Sequence, residues 1–449
     1  MTPFLKRGRL QRTLIYVRSS FWFVPALIVL AAMALAVGLV ELDRHAGGMS
    51  PLGVARAFAT RPDEARSILS TIAGSMATVA GVVFSITIVA LALASSQYTS
   101  RVLRNFMRDR ANQMVLGVFV GVYIYCLIVL GTIGIDKTES VPSTAVLGSV
   151  VFAVLASGVF IFFIHHISST IQASEMAAAI AAETLAAVQV MFPQEMGHDA
   201  DEDAAITLEK PVHWHPVPAQ GTGYVQRVDS DALLDFARHY DTVVRMERGI
   251  GDFVAERQVL ASVALPRAPE GEMVSALNGI YAIGTYRTID QDVAFGIRQL
   301  VDMALKALSP GINDSTTAVT CLQHLAVVLA GCARRDTAAP QRFHDGVLRV
   351  IARRPHFCEL VALAFEQILE NAHGNTEVML QMLQAIREVG RVAPAGIRRA
   401  ALRAQVDAVE EVAGQSITLT ASRARIMESV ATLRHELQSR DARDRMGAD

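Results

Sequence analysis

The sequence predicts a mainly α membrane protein: four transmembrane helices, then a small β-rich barrel-sandwich-like unit and an α-helical cytoplasmic domain. Three observations carry that prediction. Apolar residues make up 52% of the chain against 19% charged, with a mean hydropathy of +0.34, a balance more apolar than soluble domains show. Four apolar runs, at about 21–42, 67–96, 114–135 and 143–165, are each long enough to cross a bilayer. Basic residues gather beside some ends of these runs and not others, which sets an orientation.

Residues 1–20 form a basic arm holding Lys6, Arg7, Arg9, Arg12 and Arg18. The apolar run behind it is too long for a signal-peptide core, so a retained first span is expected, with Tyr16 and Trp22 suited to the interface. The segment from Arg101 to Arg110 is strongly basic, whereas the turn from Asp136 to Pro142 has one lysine. Arg56, Arg61 and Arg66 run against the pattern, offset by Asp63 and Glu64. Four spans with both ends in the cytoplasm satisfy the positive-inside rule.

The second span is the patterned one. Stepping about 100° per residue places Ser67, Ser70, Thr71, Gly74, Thr78, Gly81 and Ser85 on one side, and Leu69, Ile72, Met76, Val79, Val83, Ile86 and Leu91 on the other. A face of small and hydroxylated residues serves close helix packing or lines a water-filled pathway. Either use turns that face toward a shared interior and leaves the aliphatics to lipid. Gln97, Arg101 and Arg104 would form a basic inner mouth, which disfavours cations.

Beyond His165-His166 a helical extension is expected over 168–192, then a loop over 193–220 with an acidic patch and His213-x-His215. Lacking a second ligand pair, that His pair is not expected to hold a metal. Residues 221–266 read as strands and turns around a short helix capped by Ser230 or Asp231, in the manner of a barrel-sandwich hybrid. No lysine lies between Lys210 and Lys306, so the swinging arm of a biotinyl or lipoyl carrier is excluded. Residues 267–438 read as helices. One, from Val293 to Leu308, carries an apolar stripe and Asp290 as its expected cap. The tail 439–449 is charged and expected to be disordered.

Around that helix lie Arg287, Asp290, Asp292, Arg298, Asp302, Asn313 and Asp314. They form either a structural ion-pair network, with Arg298 and Asp302 one turn apart, or a cytoplasmic site for a small ligand or hard cation using Asp290, Asp292 and Asp314. The four cysteines show no metal or disulfide spacing. No nucleophile elbow, phosphate loop, dinucleotide fingerprint or nucleic-acid module is present, so neither enzyme activity, a cofactor nor nucleic acid is expected.

Several ordered strings resemble one family. They are Gly81 to Leu91 with Ala94 to Tyr98, Arg101 to Arg110, Gly223-Tyr-Val-Gln226, Arg287 to Asp302 and Ala307 to Ala318. With these the chain is similar, over nearly its whole length, to the bacterial predicted membrane proteins called domain of unknown function 2254. The resemblance implies a multi-pass inner-membrane protein with four spans and implies no activity. Partners expected from the residues are the lipid bilayer and further copies of the chain.

Overall fold

A computed structural model describes residues 22–45, 61–97, 110–133, 141–170, 172–191, 213–335 and 341–446. They fall in two compact units, one ending at Gln172 and the other beginning at Ala173.

The first unit holds α1 (Phe23–His45), α2 (Pro62–Gln97), α3 (Arg110–Thr132) and α4 (Ser143–Thr170). Of these, α3 is the most enclosed, with 44% of its apolar window buried against 17% for each of the others. Glycines explain its closeness to α1. A Cβ on Gly117 would lie 2.9 Å from Ile28 Cδ1 and 3.0 Å from the Pro25 backbone, and one on Gly121 would lie 3.4 Å from Ala32. Tyr125, fully buried, donates its hydroxyl to the Ala145 carbonyl at 2.7 Å and meets Phe152 edge-on at 5.1 Å. One end of the bundle is tied by polar groups: Asp43 accepts the backbone N–H groups of Thr144 and Ala145, capping α4, and Arg66 donates to the Ile133 carbonyl at 3.0 Å. Leu27, Leu30, Val154, Leu155 and Ile161 point outward, as a lipid-facing surface requires.

The second unit begins with α5 (Ala173–Met191) and a sheet region: β1 (Trp214–Pro218), β2 (Gly223–Val228), α6 (Ser230–His239), β3 (Val244–Met246), β4 (Phe253–Val254), β5 (Val259–Ala264), α7 (Gly271–Ile280) and β6 (Tyr281–Gly284). There follow α8 (Val293–Ala307), α9 (Ser315–Ala333), a hairpin of β7 (Gln341–His344) and β8 (Val347–Ile351), then α10 (Phe357–Asn371), α11 (Thr376–Val392), α12 (Ile397–Ser416) and α13 (Thr420–Met446). The strands make a mixed five-stranded sheet, β1-β5-β3-β8-β7, and a three-stranded sheet, β4-β2-β6. They share a core of Val217, Val225, Leu233, Val244, Leu260, Val263, Leu277, Tyr281 and Val350.

Several expectations are corrected here. The strands of 221–266 do not close on themselves. They recruit β1 from the stretch expected as a loop, and β6, β7 and β8 from the stretch expected as all helix, with β8 parallel to β3. The cap of α6 is Asp229, which accepts from Ala232 N, and the cap of α8 is Asp292 rather than Asp290. The last helix runs to Met446 instead of fraying at 439, because Asp441 is buried between Arg399 and Arg403.

Among the described residues five helices, α1 to α4 and α9, are long and apolar enough to cross a membrane. The fifth has a physical reason of another kind. It packs against α5, α8, α10 and α11, and Ala318, Cys321, Leu322, Leu325, Val328 and Leu329 are buried there. A helix packed on four neighbours needs an apolar surface on most of its faces.

Candidate functional site

Two places were singled out by residue type. On α2 the two faces separate as expected: Ser67, Ser70, Thr71, Gly74, Thr78, Gly81 and Ser85 are all exposed. The direction corrects the expectation about lipid. Leu69, Met76 and Val83 are buried inside the bundle, and Ile72, Val79, Ile86 and Leu91 pack on its core. The small-residue face is thus the outward one, and a Cβ at Gly74 or Gly81 would meet nothing within 4 Å. Several of its hydroxyls are already satisfied along the helix: Ser70 donates to Ser67 O at 3.0 Å, Thr71 to the same carbonyl at 2.7 Å and Thr78 to Gly74 O at 3.0 Å. Such back-bonding removes the penalty of facing an apolar medium. Arg101, Arg104 and the side chain of Gln97 lie outside the described residues.

In the second unit the expected residues divide into separate tasks. Arg287 holds Asp292 in a two-pronged bridge, Nε to Oδ2 at 2.8 Å and Nη2 to Oδ1 at 3.0 Å. The same carboxylate accepts Phe295 N at 2.9 Å and so caps α8. Burial pushes the Asp292 carboxyl above its ordinary value, against the lowering effect of Arg287. Arg298 pairs with Asp302 at 2.8 Å and donates to Gln367 Oε1, joining α8 to α10. Asp314 caps α9, taking Thr317 N at 3.0 Å and the Thr317 hydroxyl at 2.5 Å, and the Thr317 hydroxyl is the main reason its carboxyl lies below the ordinary value. Asn313 sits exposed at φ +50° in the turn before it, a conformation asparagine tolerates. Asp290 is exposed.

Asp292 and Asp314 stand at opposite ends of the 15-residue α8, about 22 Å apart at 1.5 Å per residue. A single cation cannot take Asp290, Asp292 and Asp314 together. Among the described residues no three His, Cys, Asp or Glu groups cluster as a metal site. His213 is exposed, and His215 lies in β1 opposite Val263 with Nε2 buried and without a hydrogen-bond partner among the described residues.

Sequence reading missed what lies against the Arg287–Asp292 bridge. Gly251, at φ +86°, fits so tightly that a Cβ there would stand 2.4 Å from Asp292 Oδ2 and 2.7 Å from Arg287 Nη2. Its neighbour Asp252 accepts Gly249 N at 2.9 Å and faces Arg353, which donates to the Glu247 carbonyl. Glu247 in turn accepts from Arg245 and Ser262 at 2.7 Å each. Burial alone would raise the Glu247 carboxyl, but those donors and Arg353 hold it below the ordinary value. Gly249-Ile-Gly251-Asp252 was legible as a turn, yet its partner 36 or more residues on was not. The chain therefore packs Gly223 to Gln226, the turn at 249–252 and Arg287 to Asp292 into one junction, where Gln226 donates to Tyr286 O and Gln291 accepts from Val228 N.

The family model for predicted membrane proteins, DUF2254, matches residues 18–388. The chain belongs to that family. Uncharacterized proteins of Mycobacterium tuberculosis and of Mycobacterium bovis are each 29% identical to this DUF2254 member over 433 residues, covering 94% of its chain and 82% of theirs. No solved structure matches it.

Proposed function

We propose that this DUF2254 protein is a homo-oligomeric, channel- or transport-like protein of the bacterial inner membrane, with both termini cytoplasmic. In this reading α1 to α4 are the four spans, α9 is not a fifth, and α2 supplies the surface that copies share and that lines a pathway. The second unit, in the cytoplasm, regulates or assembles it, without enzymatic chemistry. One observation carries the reading: the Ser/Thr/Gly face of α2 turns away from its own bundle, while larger aliphatics cover most of the other outward surface. Small residues favour close approach between helices in lipid. The basic residues 101–110 favour anions as the permeant class.

The test pairs association with flux. In a Cys358→Ser background and with an added thiol oxidant, Thr78→Cys should give disulfide-linked dimers in native membranes, and Ser85→Leu should change the conductance of purified protein in planar bilayers. Absence of conductance in both wild type and variant, across voltage and tension, overturns the transport part. Absence of cross-links overturns the shared surface.

A second reading is a membrane-anchored scaffold or sensor whose cytoplasmic unit binds a partner or small ligand. It draws support from the exposed Phe253, which meets Tyr224 edge-on on the three-stranded sheet. Here a soluble compound should raise the unfolding temperature of the detergent-purified protein while no conductance is seen.

A further inference from the structure

We draw no further inference here: the strongest candidate, the aromatic pair of Tyr224 and Phe253 on the three-stranded sheet, carries nothing because nothing among the described residues shows what covers it.

Discussion

Asp292 shows how much one side chain is asked to do. Its carboxylate, 4% exposed, is at once the cap of α8, the partner of Arg287 and the wall against which Gly251 packs. Arg287→Ala strands that charge, and breaking a buried pair from one side costs about 3–5 kcal/mol. The sign of the pH dependence follows from burial. Asp292 already binds its proton more tightly folded than unfolded, and losing the arginine strengthens that preference. The variant should therefore be furthest from wild type above the raised Asp292 value and approach it as pH falls toward about 3.9, the ordinary aspartate value. Hydrogen exchange of the α8 amides at neutral and acid pH measures this; an equal loss at both would assign the effect to packing. Gly251→Ala should cost more than Gly346→Ala. Both glycines have positive φ, which costs alanine about 1 kcal/mol, but only Gly251 has side-chain atoms inside 3 Å of the new methyl, whereas Gly346 faces open space. Thermal unfolding of the two variants compares them, and equal losses would mean that the bridge gives way freely.

At the scale of elements, arginine is the recurring joint of the second unit. Arg335 donates to the carbonyls ending α5, Arg398 to Ala333 at the end of α9, Arg399 and Arg440 to Ala393 and Arg391 at the end of α11, and Arg423 to Ile417 at the end of α12. Unpaired C-terminal carbonyls and the negative end of the helix dipole both favour such donors. The joint holding α13 also contains Asp441, whose carboxyl burial would raise but which Arg403 and Arg399 bring below the ordinary value. That stability is present above the ordinary carboxylate range and lost as pH falls through the lowered value. Protease cleavage within α13 should thus rise on acidification, and Asp441→Asn should be cleaved readily already at neutral pH; cleavage indifferent to both would remove the charge joint from the account. How legible these elements were depended on range. The stripe of α8 was read from spacing, because an amphipathic helix encodes its own buried face. The hairpin of β7 and β8 was equally local and was missed: Asp345 and Gly346 both have positive φ, as a tight hairpin turn requires, and alternation flanks them. The five-stranded sheet was not legible, since β3 finds β8 about a hundred residues later. On α2 the wheel separated two faces, but the expectation that the aliphatic face would meet lipid was reversed, because the bundle core takes Leu69, Met76 and Val83 and lipid accepts either face.

For the whole molecule the decisive quantity is the number of crossings. Among the described residues hydropathy offers five helices, and α9 is the least apolar of them. An odd number would put the regions before α1 and after α9 on opposite sides and split the second unit, whose α5, α8 and α11 all pack on α9. Moving α9 into lipid would bare the apolar faces of these neighbours to water, which burial at about 25 cal/mol per Å² strongly opposes. A four-crossing arrangement keeps that core whole. The difference is measurable at two valines of similar exposure, Val151 on α4 at 47% and Val327 on α9 at 49%. Cys126, Cys321 and Cys332 are buried, so Cys358→Ser provides a quiet background. In it, Val327→Cys should react with a membrane-impermeant thiol reagent applied to inverted vesicles, and Val151→Cys should react from neither side. Protection of both positions would place α9 in the bilayer, leaving the packing of α5, α8 and α11 to be rebuilt around its absence.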